Sequence, residues 1–251
     1  MKNCSIIINA DDCGLNEHVN KEIERFINAG KISSTTVMAN MHDLEGAVRL
    51  YGKYGDKISF GWHMNLTEGE PLLKNQLLLD NGYYKEKDGR VVFNGLSFRF
   101  KQVPRYMFPE IKKELIAQYE KIKDSGIIIT HADSHHHIHT TKGFVGFFPG
   151  FLKEIGIGKC RRMRNYMDFS MSYCARQAWA MWFRLHGLKM PDCFCEFQEY
   201  HDKPNTRNWK SLEIMVHPGH PSEAYTKEAL LLDEDFDKLF STAKLINYKE
   251  I

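Results

Sequence analysis

The chain has 251 residues, of which 43% are hydrophobic and 26% charged, the balance of a globular protein long enough for one large α/β domain. Its formal net charge of +2 gives no electrostatic footprint for nucleic acid or an anionic membrane, and no apolar run approaches the roughly 20 residues that span a bilayer. Residues 1–8 lack the core of an export signal and the six cysteines (Cys4, Cys13, Cys160, Cys174, Cys193, Cys195) lack CxxC spacing, so free thiols and a cytoplasmic location are expected.

Residues 4–10 are an apolar run suited to a strand buried on both faces. Val19, Ile23, Phe26 and Ile27 recur at helical spacing over residues 16–29, and Gly30 stands where a helix should end. Residues 32–39 are rich in β-branched side chains, hence a second strand. A helix over 43–51 and a strand through 58–62 follow, then a helix over 111–123, a strand over 127–130 and a helix over 144–155. A late strand covers 211–216 and a closing helix 236–245. The alternation predicts an α/β fold whose parallel sheet has helical crossovers, open or closed into a barrel. Two stretches break the rhythm. Residues 70–104 carry the turn signals Asp80-Asn-Gly82 and Lys87-Asp-Gly89 and read as an inserted hairpin or loop. Residues 169–187 read as a helix bearing Trp179, Trp182 and Phe183, a packed core helix or else a lid or subunit contact. With no repeat or linker, residues 1–251 form a single expected domain with insertions near 70–104 and 169–198.

Polar constellations follow the strand-like runs. Five of the twelve histidines fall within nine residues, in Thr130-His-Ala-Asp-Ser-His-His-His-Ile-His139, and Asp11-Asp12, His63 and His217 each sit where another strand should end. In parallel α/β proteins reactive groups gather at the carboxyl ends of the strands, so these distant residues are expected on one face. Of two adjacent carboxylates, one can ligate a cation while the other takes a proton from water; one could instead cap the next helix. A carboxylate with two imidazoles suits zinc, cobalt or iron, and the set equally fits a non-haem iron oxygenase. On an extended backbone His135 and His137 would share a side, with His136 opposed. His217, held before Pro218-Gly219, suits general-acid work or a plain turn. Trp62 is either a sugar-stacking face or core. His18, His42, His186 and His201 are read as structural.

These segments together resemble the YdjC-like carbohydrate deacetylases. Asn9-Ala-Asp-Asp-Cys-Gly14 is similar to the family's N-A-D-D-F-G opening, with Cys13 in place of Phe, and Ser33-Ser-Thr-Thr36 follows at the expected place. Gly61-Trp-His-Met-Asn-Leu-Thr-Glu-Gly69 resembles G-x-H-x-N-L-T-x-G, residues 130–139 resemble T-H-x-D-S-H-H-H-x-H, and Ser211-Leu-Glu-Ile-Met-Val-His-Pro218 resembles S-L-E-x-M-x-H-P. The resemblance implies a modified (β/α) barrel and metal-dependent hydrolysis of N-acetyl groups on amino sugars or short chitooligosaccharides. It implies one divalent ion (magnesium, zinc or cobalt) on Asp12, His63 and His135, with Asp11 as general base and His217 as acid. Among the arginines of Arg161-Arg-Met-Arg164 it favours Arg164 for orienting the base or the substrate, and Asp133 and His139 are expected to contact substrate. A small carbohydrate, neither nucleic acid nor membrane, is the expected partner, and a two-fold homodimer the expected assembly. The alternatives are a metal-dependent hydrolase of another acyl or phosphoryl substrate, and a non-catalytic sugar- or metal-binding protein; Asp11 would be idle in a pure binder.

Overall fold

The computed structural model describes residues 4–166, 171–204 and 209–251. Its centre is a curled parallel sheet in the order β6-β3-β2-β1-β8-β7, comprising β1 (Ser5–Cys13), β2 (Ser34–Val37), β3 (Ser59–Met64), β6 (Ala132–Ser134), β7 (Cys193–Glu196) and β8 (Ser211–Val216). A short β9 (Lys244–Leu245) pairs with the start of β1. β1 is buried along nearly its whole length, which is why its first half, Ile6–Ile8, is a continuous apolar run rather than an alternation. The edge strands β6 and β7 do not pair with each other. Residues 159–165 span the gap between them: Arg161 N–H reaches the Ala132 carbonyl at 3.0 Å, and Asn165 N–H the Phe194 carbonyl at 3.3 Å. The result is a half-barrel with flanking helices.

The crossover α1 (Glu17–Asn28) buries Val19, Ile23, Phe26 and Ile27 against the sheet. Its N-cap is Asn16, whose side chain accepts the Val19 N–H, so neither Asp11 nor Asp12 is used as a cap. Asp43 caps α2 (Leu44–Tyr54) in the same manner. The insertion after β3 holds α3 (Gln76–Asp80), the hairpin β4 (Tyr84–Lys87) and β5 (Arg90–Phe93), and α4 (Gly95–Phe100). The hairpin turns at Asp88-Gly89, both at positive φ (52° and 74°), as the Asp-Gly signal requires. α5 (Phe108–Asp124), α6 (Phe148–Glu154), α7 (Met171–Leu185), α8 (Phe197–Asp202) and α9 (Glu223–Phe240) complete the helices.

Three expected elements differ. The apolar run 127–130 is not a strand: Ile128 is 70% exposed, and Thr130 meets the sheet only at the Phe60 carbonyl, to which its backbone N–H and its hydroxyl both donate. The ladder strand is the polar Ala132–Ser134 just beyond it. The expected helix over 144–155 is only α6, preceded by turns. The closing helix begins thirteen residues before the expected 236 and stops at Phe240; its first buried residue is Glu228, so no apolar stripe marks its start, and residues 244–245 are strand. Of the expected helix 169–187, Phe169 and Ser170 lie outside the described residues; Phe183 is buried, whereas Trp182 is 43% exposed.

Candidate metal and catalytic site

At the carboxyl end of β1 the register against β2 shifts between Ala10 and Cys13, and Asp12 has φ +66°, a left-handed conformation uncommon outside glycine. This bulge lets both carboxylates meet the same cavity. Asp12 Oδ1 lies 3.2 Å from His63 Nε2, at the end of β3, and 3.0 Å from His135 Nδ1, just after β6. All three residues are buried, and their ligand atoms lie within 4.8 Å of one another. Ligands about 2.1 Å from one ion stand about 3 Å apart at right angles, so the spacing fits a shared cation. A buried carboxylate oxygen faced by two imidazole nitrogens is the donor set of a divalent-cation site, so the residues present fit such an ion.

Both imidazoles are held from behind by carboxylates. His63 Nδ1–H donates to Asp133 Oδ1 at 2.6 Å, and His135 Nε2–H to Glu68 Oε2 at 2.9 Å. Each ring is thereby fixed with its other nitrogen toward Asp12. Burial pulls the His63 ring down, but Asp133 and Asp12 outweigh it and push it up to about 10; Asp12 and Glu68 likewise hold His135 at about 9 against burial. Each ring would have to give up the proton on the nitrogen facing Asp12 to hold a cation, so metal binding there would release protons.

Asp11 belongs to a buried network joined to Asp12, His63 and His135 through Asp133. Arg161, fully buried, donates from Nη2 to Asp11 Oδ1 at 2.6 Å and from Nη1 to Oδ2 at 2.7 Å, while Asn9 Nδ2 donates to Oδ1 at 2.8 Å. The same guanidinium lies 2.6 Å from Asp133 and donates from Nε to Glu213 at 2.9 Å; the Tyr248 hydroxyl donates to Glu213 at 2.6 Å. Burial would raise the Asp11 carboxyl, but Arg161 outweighs burial and holds it well below the usual carboxylate range. Burial wins at Glu213, which is pushed up to about 7 despite Arg161 and Tyr248.

Across the cavity, His217 follows β8. Its backbone N–H donates to Glu228 Oε1 at 2.6 Å, its Nδ1 stands 3.4 Å from that oxygen, and its ring stacks on Tyr225 at 3.9 Å. Burial lowers the ring's pKa and the Glu228 carboxylate more than offsets it, so His217 titrates above its ordinary value. Asp11, Asp12, His63, His135 and His217 thus line one cavity of about 360 Å³.

Other expected site residues lie elsewhere. Asp133 and His139 are buried beneath the cavity rather than lining it; His139 Nδ1 pairs with Ser134 Oγ at 2.5 Å. Arg161, not Arg164, meets Asp11. Arg164 is half-exposed and bonds Glu196 (2.6 Å), at the cavity rim, and Glu199 (2.8 Å). Trp62 packs in the core against Tyr119 and Phe151. His136 and His137 both adopt positive φ (53° and 54°), so the extended alternation fails and both rings face the cavity with His135. The sequence reading missed Glu68, Glu228 and Tyr248; no spacing signal marks them.

Fold and site together define an α/β half-barrel with a candidate metal centre beside a shielded carboxylate. Residues 5–244 match the family described as YdjC-like protein, and the chain belongs to that family. It is 31% identical over 227 residues to a carbohydrate deacetylase of Clostridium beijerinckii, covering 86% of this chain and 81% of that protein. A carbohydrate deacetylase of Oceanobacillus iheyensis is 30% identical over 220 residues, covering 86% of each. The crystal structure of an Enterococcus faecalis V583 protein described as a cellobiose-phosphate cleavage protein superimposes with a TM-score of 0.77 at 20% identity, over 99% of both chains, and bears on the fold alone.

Proposed function

We propose that this protein is a metal-dependent carbohydrate N-deacetylase, hydrolysing the acetamide of an amino sugar or short chitooligosaccharide to the free amine and acetate. The observation that carries the reading is Asp11, ionised and held by Arg161, immediately beside the Asp12, His63 and His135 trio. The names of the two bacterial relatives support the substrate class.

A divalent ion on Asp12, His63 and His135 would supply Lewis-acid polarisation of the acyl oxygen and acidify a nearby water. Asp11, fixed by two guanidinium bonds and Asn9, takes that water's proton as it attacks. His217, whose ring Glu228 holds above its ordinary value against burial, gives a proton to the departing nitrogen. Asp133 orients His63, and Arg164 holds Glu196 at the rim. A cavity of about 360 Å³ falls within the ~300–1,000 Å³ of small-molecule sites. The two-imidazole, one-carboxylate set suits zinc or cobalt, with magnesium as the harder-ion alternative. We further read residues 1–251 as one domain acting as a cytoplasmic homodimer. Among the described residues no helix is long and apolar enough to cross a membrane.

The test is acetate release from N,N′-diacetylchitobiose and N-acetylglucosamine by protein reconstituted with zinc, cobalt or magnesium, beside Asp11→Asn. Metal-dependent release that the variant loses supports the reading. Loaded protein that releases acetate from neither sugar overturns the substrate assignment.

A further inference from the structure

We propose that Glu68 is a positioning residue of the metal centre: its carboxylate fixes the tautomer and ring orientation of His135 so that Nδ1 faces the ion. The inference rests on the reading of Asp12, His63 and His135 as ligands.

An imidazole ligates only through a nitrogen lone pair, and a carboxylate accepting the other N–H decides which nitrogen that is. His63 has such a partner in the buried Asp133. For His135 the only carboxylate described within hydrogen-bond reach of Nε2 is Glu68, at 2.9 Å, with Asp12 on the Nδ1 side at 3.0 Å. A 180° ring flip without Glu68 would replace the nitrogen facing Asp12 with carbon.

The loop that delivers Glu68 is built to hold it. Asn65 Oδ1 accepts the N–H groups of Thr67 (3.0 Å) and Glu68 (3.1 Å), and Asn65 Nδ2 donates to the Glu68 carbonyl at 2.8 Å. Asn40 Nδ2 donates to the same carbonyl at 3.2 Å. The backbone is therefore pinned on both sides and only the side-chain torsions remain to be set. Thr67 Oγ1 meets His136 Nδ1 at 2.9 Å, so the same loop also steadies the ring whose centroid lies 4.0 Å from that of His135. β3 thus supplies one ligand, His63, and five residues later the orienting group for another. Removing such a partner weakens metal binding about 10- to 100-fold. The Glu68 side chain is 45% exposed, and solvent screening directs the expectation to the lower end of that range.

The experiment is zinc calorimetry on metal-stripped wild type, Glu68→Ala, Glu68→Gln and His135→Ala, with thermal melts of each metal-free protein. We expect one zinc per wild-type chain, no measurable binding by His135→Ala, and a dissociation constant roughly tenfold higher for Glu68→Ala. Glu68→Gln, whose amide oxygen still accepts Nε2–H, falls between. The metal-free melting temperature of Glu68→Ala stays at the wild-type value, and saturating zinc restores its acetate release with unchanged KM. Wild-type affinity in Glu68→Ala overturns the proposal. So does a raised KM that zinc does not repair, which would make Glu68 a substrate contact. So does a second zinc in wild type that Glu68→Ala loses, which would make Glu68 a ligand beside His136. Absence of zinc binding by wild type overturns the ligand reading itself, and is told apart because it precedes any comparison of variants.

Discussion

Replacing Arg161 with Met tests the buried network under the site most directly. The guanidinium is fully buried and lies within 2.9 Å of three carboxylates, Asp11, Asp133 and Glu213. Met fills much of the volume and removes the only cation shared by all three. Asp133 keeps His63 and Glu213 keeps Tyr248, whereas Asp11 keeps only the neutral Asn9 amide. The variant therefore loses about as much as one buried pair broken on one side, about 3–5 kcal/mol, rather than three times that. A domain of ordinary stability, about 5–15 kcal/mol, still folds in most of that range. Melting should fall by about 6–20 °C, at about 2–4 °C per kcal/mol for a chain of this size. Because Asp11 is depressed in the wild type, the pairing contributes fully above the unfolded carboxylate range, near pH 4, and is lost as pH falls through the still lower folded value. In the variant only His63 and His217 still oppose burial, so Asp11 rises and acid relieves it by protonation. The gap between the two proteins should thus be widest at neutral pH and shrink toward pH 4. Urea unfolding followed by circular dichroism at pH 7, 5.5 and 4, in metal-free buffer, reads both effects. A neutral-pH loss below about 1 kcal/mol, or a gap that acid does not narrow, refutes the view of Arg161 as the charge that makes Asp11 tolerable.

Asp11→Asn should lower kcat by about 10²- to 10⁴-fold, the range of a lost general base, while zinc affinity stays near wild type; loss of the metal would show that the two aspartates do not divide the roles. Zinc at a hundredfold excess over its dissociation constant should stabilise the wild type by about 2.7 kcal/mol and leave His135→Ala unmoved, which thermal melts with and without chelator can check. Glu228→Gln removes the charge that keeps the His217 ring above its ordinary value, so the alkaline limb of kcat should move to lower pH with the acid side unaffected. A limb that stays in place would remove His217 from the acid role.

The fold could be read where burial is apolar and was misread where burial is polar. β1 and β8 announce themselves because strands covered on both faces are dominated by apolar side chains, Ile6–Ile8 in one and Leu212, Ile214, Met215 and Val216 around the buried Glu213 in the other. β6 is the opposite case. Ala132, Asp133 and Ser134 are all buried, yet no hydrophobic pattern marks them, since Asp133 is satisfied by His63 and Arg161 and Ser134 by His139. The apolar residues 127–130 upstream attracted the strand assignment while bonding to the sheet only at the Phe60 carbonyl. Glu228 hid the start of α9 by the same route, as a carboxylate in the position where the helical stripe calls for an aliphatic side chain. Arg161 and Arg164 differ only in which way residues 159–165 turn as they bridge β6 to β7, and composition cannot rank them. The paired positive φ of His136 and His137 is set by the tertiary surroundings of a non-glycine sequence, so the extended reading had no local signal to contradict it. These misreadings converge on the cavity, where buried charge is compensated by partners distant in sequence. The motifs located the strand ends; the partners Arg161, Glu68 and Glu228, which determine what charge and orientation the site residues carry, emerge only from the packing.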